Sequence, residues 1–276
     1  MPVSYLSLDA LKRSVNLTST DADVELRQVL EGATRTINDE THRTFQPYTA
    51  TLYFDAIHSD YLTFPVDLLA ITSLKTDDDG EGVYENTWTV NTDYILSPVN
   101  AAASKEPFWK IERARYNPTY SFPQSIQRGI QIVGLWGYWL DLVTLTPTTS
   151  EAIDLTETVI DVSASSPIEV LDTILIDSEQ MYVTARDLVS ATKTITVERA
   201  VNGTTAATHS TSAAIQRYRY PDRIVTTCRQ LAARDFRLTD APLGIDGIQS
   251  NQTAYVDRIY PQIRETYEHY RLTVFA

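Results

Sequence analysis

The feature that most constrains the fold is a change of hydrophobic period along the chain. Apolar residues recur at helical spacing over 21–43, which predicts an amphipathic helix. Over 48–138 the period falls to two, and short runs of aromatic and β-branched residues predict strands. Helical spacing returns over 221–238 and 253–271. Helices at both ends therefore flank a β middle, and the terminal helices are expected to pack together.

Three residues mark predicted helix ends. Ser7 predicts the N-cap of a short first helix, because its hydroxyl can accept a hydrogen bond from an unpaired helix amide. Pro221 suits a first helical position, where no amide hydrogen bond is lost. Pro261 falls inside the last periodic segment, so it predicts either a kink or the true start of that helix.

A segment of different character separates two β regions. Residues 144–157 are dominated by Thr, Ser and Pro, which is typical of a linker. Residues 158–218 contain five short strand-like runs, which predict a small barrel or sandwich. The expected fold class is α+β: a helical body from the N- and C-terminal helices plus β strands in the middle, with an inserted small all-β domain. The predicted domains are 1–143 with 219–276, and 144–218.

The formal net charge of −13 limits the partners of the chain. Proteins that grip nucleic acid neutralise phosphates with Lys and Arg, so an acidic chain argues against that class. The charge fits a surface past which DNA slides, and it equally fits an ordinary soluble protein. The single cysteine, Cys228, excludes an intrachain disulfide. With no secretory signal and no apolar run of membrane length, synthesis in the cytoplasm is expected.

The sequence lacks the common catalytic and ligand-binding patterns. It contains no nucleophile elbow, phosphate loop, dinucleotide fingerprint or zinc-protease motif. The acidic run 77–81 resembles a calcium loop, but Lys75 and Asn86 stand where that loop needs its end ligands. We therefore expect no metal, no cofactor and no catalytic residues, and a protein that is not an enzyme. The histidines, interpreted as isolated surface or helix-end residues, are His42, His58, His209 and His269.

The tryptophans leave an alternative function open. Each of them lies in or beside a predicted strand, which favours core packing over a sugar-binding platform. A carbohydrate-active enzyme or sugar-binding module remains the alternative, favoured if a buried carboxylate pair lies beside an exposed Trp. The four are Trp88, Trp109, Trp136 and Trp139.

Arginines concentrate around the predicted helix 221–238. Two interpretations stay open: a contact with an acidic neighbouring subunit or DNA, or a solvated helix face opposite the apolar stripe. In an acidic chain, acid-to-base contacts between copies would suit a closed ring with heterologous interfaces. The candidate contact residues are Arg229, Arg234 and Arg237, preceded by Arg217, Arg219 and Arg223.

Three ordered stretches carry a family resemblance. The first is YLSLDALK at 5–12, followed by the helix over 21–43. The second is IQIVGLWGY at 130–138, which is similar to a V-x-G-x-x-G-[YW] element. The third comprises YPDRI at 220–224, LAAR at 231–234 and APLG at 241–244. In this order they resemble the head-tail connector (head completion or adaptor) proteins of long-tailed bacteriophages.

The resemblance implies a structural role in the virion neck. Such a protein would form a dodecameric ring of about twelve copies, docked under the portal protein and assembled in the host cytoplasm. The ring would extend the channel through which double-stranded DNA passes during genome packaging and ejection, without sequence-specific binding or any membrane. It would also hold the next neck or tail-completion protein. The apolar end of the chain is a candidate portal contact, with Leu272, Val274 and Phe275.

The chain departs from this family at the insert. In simpler members the glycine-aromatic strand leads almost directly to the proline-started helix, whereas 144–218 intervene here. IDSEQMYV at 176–183 and VERAVNGTT at 197–205, followed by His209, are similar to a small β module of phage virion proteins. The role of that module stays open, and another tail-completion or baseplate protein is the second candidate function.

Overall fold

The structure, a computed structural model, divides into two compact units. The first unit is formed by the described parts of 1–42 and 141–272, and the second by those of 43–140. Each unit contains a six-stranded antiparallel sheet, so the chain is α+β as the sequence predicts. The residues described are 4–116, 119–164, 167–187, 189–240 and 261–272.

The described helices are α1 (Leu8–Ser14), α2 (Asp23–Thr41), α3 (Ala101–Ser104), α4 (Asp222–Asp240) and α5 (Pro261–Tyr270). The predicted N-cap is confirmed, because Ser7 Oγ accepts a hydrogen bond from the Ala10 amide at 3.2 Å. Residues 253–260, where the sequence predicts the start of the last helix, lie outside the described residues. Within the described ranges, no helix is both long and apolar enough to cross a membrane.

The terminal helices pack together in the first unit, as predicted. Helix α2 contacts α1, α4 and α5, and its apolar stripe faces that of α4. The rings of Tyr5 and Tyr220 meet edge to face at 4.8 Å, and the Leu272 amide donates to the Thr41 carbonyl at 2.8 Å. Tyr5 and Leu272, near the two limits of the described residues, thereby contact the helical part of this unit. The buried stripes are Leu26, Leu30 and Ile37 on α2, and Ile224, Cys228 and Leu231 on α4.

The sequence has separate strand-like runs at 61–64 and 71–75, whereas the sheet of the second unit contains one strand there, β2 (Tyr61–Thr76). Its strands run in the order β1-β6-β2-β5-β4, with β3 paired to β2. Pro65 lies inside β2, between Thr63 and Leu68, where the ladder with β5 shifts register. The missing proline amide therefore coincides with a bulge and the strand continues. The strands are β1 (Tyr48–Phe54), β2 (Tyr61–Thr76), β3 (Asn86–Trp88), β4 (Tyr94–Ser97), β5 (Phe108–Arg113) and β6 (Ile130–Trp136).

Two glycines of the 130–138 stretch are required by close backbone approach. A Cβ at Gly134 would lie 2.6 Å from the Ala70 carbonyl oxygen of β2. Gly137 adopts φ +128°, and a Cβ there would lie 2.7 Å from the Gln46 carbonyl oxygen. The glycine pattern of this stretch thus allows β6 to pack against β2 and the chain to turn immediately afterwards.

The second sheet lies in the first unit and comprises the insert. Its order is β7-β12-β9-β10-β11-β8, and the end strands meet at an isolated bridge between Thr149 and Val162. The Ser150 amide adds a hydrogen bond to Asp161 O at 2.8 Å. Among the described residues β7 and β8 share only this bridge and no continuous ladder, so the sheet is not a closed barrel. The strands are β7 (Leu142–Thr148), β8 (Val159–Val162), β9 (Thr173–Ile176), β10 (Glu179–Asp187), β11 (Lys193–Glu198) and β12 (Ala214–Tyr218).

The predicted linker 144–157 is wrong in its first part, because β7 occupies residues up to Thr148. This strand is rich in Thr and contains Pro147, but it borders the sheet and its ladder with β12 shifts register beside that proline. Leu145 and Ile153 are buried in the core of the sheet. The predicted domain division stays a prediction, since compact packing alone does not test which segments fold independently.

Candidate functional site

Most of the arginines around α4 are engaged within the chain. Arg217 also donates to the Pro167 carbonyl at 3.1 Å, so it anchors the loop before β9. Four of these arginines form ion pairs, and the exposed pairs contribute little stability each, because solvent screens them. The predicted contact residue Arg234 is therefore occupied on its own helix. The pairs are Arg217–Asp172 (3.3 Å), Arg219–Asp141 (3.0 Å), Arg223–Glu265 (3.5 Å) and Arg234–Asp235 (3.3 Å).

Arg229 and Arg237 behave differently. Both are exposed on α4, and neither forms an ion pair with any carboxylate of the described residues. They are two turns apart, with Ala233 between them at helical spacing, so they lie on one stripe. That stripe is opposite the buried residues of the helix. Helix α4 therefore presents positive charge that is not neutralised within the described chain.

The predicted contacts at the chain end are described only in part. Leu272 is half-buried, and its amide donates to Thr41 O. Val274 and Phe275 lie outside the described residues. The predicted portal contact of this segment stays a prediction.

The insert contains a buried charge cluster centred on Glu179. Glu179 Oε1 accepts from Arg199 Nε at 2.9 Å, and Oε2 accepts from Arg199 Nη2 at 2.6 Å. The amides of Ala200 and Ala207 donate to the same carboxylate at 3.1 and 2.9 Å. His209 Nε2 lies 3.0 Å from Oε2. Glu179 is 0% exposed, so this charge is neutralised by protein groups alone.

The cluster extends outward from Glu179 into three loops. Arg199 Nη1 donates to the carbonyls of Asp154 and Glu157, which holds the loop before β8. His209 Nδ1 lies 2.7 Å from the exposed carboxylate of Asp177. Asp177 and Glu179 of the IDSEQMYV stretch thus contact Arg199 and His209, which follow β11. This explains why those residue types occur together in the insert.

The ionisation of two carboxyls reflects these contacts. Burial disfavours the Glu179 carboxylate, but the hydrogen bonds from Arg199, the Ala207 amide and His209 outweigh it and lower the pKa of Glu179 to about 2. At Asp172 burial dominates, and Arg217 offsets only part of it, so the pKa rises to about 6. The insert therefore contains one strongly stabilised carboxylate and one that protonates readily.

The interpretation of His209 as an isolated surface residue is wrong. It is 3% exposed and lies between two carboxylates from the β9–β10 hairpin. No spacing rule could find this pairing, because its partners are about thirty residues away and meet only through strand register. The one sequence feature that pointed to a role for His209 is its position after the stretches 176–183 and 197–205.

The insert is also tied to the first helix. Arg13 pairs with Glu169 at 2.9 Å, and Ser7 Oγ donates to the same carboxylate. Asp9 pairs with Arg186 of β10 at 3.0 Å. The Leu8 amide donates to Val170 O at 3.0 Å. Helix α1 is therefore docked on the insert as well as on α2 and α4.

The turn between β2 and β3 gathers carboxylates at the surface. Burial of Asp77 disfavours its charge, but the amides of Gly80 and Gly82 donate to it at 2.7 and 2.8 Å and lower its pKa. Oxygens of Asp77, Asp79 and Glu85 lie within 4.8 Å of one another. These three could surround a cation, although Asp77 is already satisfied by amides. We define the acidic turn as the exposed carboxylates Asp78, Asp79, Glu81 and Glu85.

The tryptophans divide between core and surface. Trp88 and Trp136 are buried, as core packing predicts, and the Trp88 ring stacks on Phe122 at 4.6 Å. Trp109 is 44% exposed, with the Lys110 ammonium 5.1 Å from its ring centroid. The exposed Trp109 thus contacts a cation, which gives the alternative of a sugar-binding site no positive support.

Comparison with known proteins gives limited similarity. No family model matches the chain, and no curated protein matches it. One chain of a structure described as "Neck of empty GTA particle computed with C6 symmetry" is similar with a TM-score of 0.31 and 17% identity. The similar region covers 49% of this chain and 65% of that chain, which is less than two thirds of its length. A similarity of that size does not establish a shared fold.

Proposed function

We propose that this protein is a structural subunit of the neck of a phage-like virion, which forms a ring under the portal and joins head to tail. The support is the ordered set of sequence stretches that resemble connector proteins. The residues that carry it also hold the fold: Tyr5 contacts Tyr220, and Gly134 permits the β6–β2 approach. Connector-like sequence thus coincides with structurally required positions.

The proposed mechanism is assembly, and no reaction is part of it. Copies associate through charged and apolar surfaces, and the ring continues the channel through which the genome enters and leaves. The net charge of −13 supports an acidic channel wall, because such a wall repels phosphates and lets DNA slide. The buried cluster around Glu179 then has a structural role, since protein groups satisfy its carboxylate completely.

The proposed partners are the portal, identical copies, and the next neck or tail-completion protein. Leu272 and the segment after it are the proposed portal contact. The insert, docked on α1 through Glu169 and Arg186, is proposed to move as one piece with the helices and to widen the surface that meets a neighbour.

Imaging of the neck in purified particles tests this proposal. We expect a ring between portal and tail whose subunit density fits both described units, with carboxylates facing the channel. The measured mass of the protein mixed with its portal should correspond to a closed ring, and its copy number separates a connector from a baseplate component. Absence of the chain from the neck, or a channel wall lined by Arg229 and Arg237, would contradict the proposal.

A further inference from the structure

The positive stripe of α4 has a complementary surface on the same chain. Arg229 and Arg237 are exposed and unpaired among the described residues, whereas the acidic turn exposes four carboxylates without a basic side chain at ion-pair distance in that part of the chain. Carboxylate oxygens of two of its members, Asp79 and Glu85, lie within 4.8 Å of each other, so they repel unless a cation approaches. The positive α4 stripe and the negative acidic turn are thus complementary in charge.

We infer that the α4 stripe binds the acidic turn of a second copy of this chain. The inference rests on the proposed function and specifies the ring contact. A contact between two different surfaces of identical chains is heterologous, and repetition of one such contact generates a ring when the rotation closes.

The acidic turn is ordered before any partner arrives. Asp77 accepts from the amides of Gly80 and Gly82, and Asn86 donates to Asp78 at 2.7 Å. A pre-ordered turn loses little conformational freedom on binding. Glu81 and Glu85 form no hydrogen bond through their side chains to described residues, so they are free to meet arginines.

The charges are expected to set specificity and register more than total affinity. Exposed ion pairs contribute only a few tenths to about 1 kcal/mol each, and salt screens them. Reversal of one arginine replaces attraction with repulsion, which should weaken association about tenfold. Both reversals together should weaken it about a hundredfold, and high salt should weaken the wild-type contact.

The test is a charge exchange in the full-length chain. The α4 variant carries Arg229→Glu and Arg237→Glu, and the turn variant carries Glu81→Lys and Glu85→Lys, which spares the residues that hold the turn. Sedimentation in low salt with EDTA measures self-association up to high protein concentration. We expect the wild type to associate and each variant alone to remain monomeric. An equimolar mixture should associate again, because each reversed surface then meets its complement.

Matched controls separate the contact from net charge. Arg35→Glu with Arg115→Glu changes the charge as much as the α4 variant does, at exposed positions outside the stripe. Wild-type behaviour of this control, with rescue in the mixture, supports the inference. Monomeric wild type, unchanged association of both variants, or failure of the mixture overturns it. A neck ring that still forms with the α4 variant would reject this contact and leave the proposed function standing.

Discussion

At the scale of the residue, Glu179 shows how a buried charge is held. Five nitrogen atoms surround its carboxylate, two of them from Arg199. Removal of one partner of a buried pair leaves the other charge uncompensated, at a cost of about 3–5 kcal/mol. We expect Glu179→Gln to lower the free energy of unfolding by that amount in urea denaturation. Glu31→Gln, which breaks the exposed pair with Arg35, should change it by less than about 0.5 kcal/mol. Similar losses in the two variants would contradict this account.

The same carboxyl predicts a pH dependence. Its pKa of about 2 in the folded chain lies below the ordinary 4.5, so the folded state favours the ionised form. The stability it contributes is complete above about pH 5 and is lost as the pH falls through the folded value. The difference in unfolding free energy between wild type and Glu179→Gln should therefore shrink from about pH 5 towards pH 2. A difference that stays constant over this range would show that another group dominates.

Substitution by alanine is expected to change the free energy of unfolding in opposite directions at Gly134 and Gly32. A Cβ at Gly134 meets backbone at 2.6 Å, whereas one at Gly32 on α2 meets nothing within 4 Å. Gly134→Ala should lower the free energy of unfolding by about 1–3 kcal/mol, because the β6–β2 pair must separate. Gly32→Ala should raise it by about 0.5–1 kcal/mol through helix propensity. Denaturant titration of both variants measures the two signs, and a neutral Gly134→Ala would refute the close-approach explanation.

The sequence identifies such residues only when they repeat a known pattern. Gly134 and Gly137 are visible in the 130–138 stretch, although their reason, contact with Ala70 and Gln46, requires the fold. His209 and Glu179 meet through tertiary structure, so composition and spacing could not assign their roles. The sequence names Arg229 and Arg237 as candidate contacts, but it could not tell them from the paired arginines beside them.

At the scale of the element, strands with clean alternation are predictable and irregular ones are not. β1, β8 and β9 coincide with the strand-like sequence runs 48–54, 159–162 and 173–176. β7 and β2 contain prolines at register shifts, so the local pattern predicts a linker in one case and a break in the other. Pairing across the sheet decides both outcomes, and a single sequence does not reveal it.

The docking of α1 on the insert gives a prediction at this scale. Asp9→Asn and Glu169→Gln remove the ion pairs with Arg186 and Arg13. The Asp9–Arg186 pair is partly shielded from solvent, whereas the Arg13 side chain is 64% exposed. We therefore expect the double variant to lose about 1–2 kcal/mol, mostly from the shielded pair. Amide hydrogen exchange should accelerate in α1 before it does in α2. The exposed substitution Asp39→Asn is the control, and unchanged protection of α1 in the double variant would show that apolar packing alone holds it.

At the scale of the whole molecule, the segments 43–140 and 144–218 each have their two ends close together. The Tyr138 amide donates to Thr44 O at 2.8 Å, so the ends of 43–140 are adjacent. Thr144 is paired with Gln216, so the ends of 144–218 are adjacent too. Segments with adjacent ends tolerate replacement by short linkers. The topology therefore permits either segment to be an insertion. Which of them can be removed depends on how much each one stabilises the rest of the chain.

Two deletions decide between these divisions. Replacement of 43–140 by a short Gly/Ser linker removes a unit with its own core, so we expect a folded remainder with cooperative thermal unfolding by circular dichroism. Replacement of 144–218 strips Glu169 and Arg186 from α1 and should yield a less cooperative, less stable chain. The sequence-based division predicts the opposite ranking. A cooperative 144–218 deletion beside an unfolded 43–140 deletion would show that the helices and the first sheet fold as one body, to which the insert is an addition.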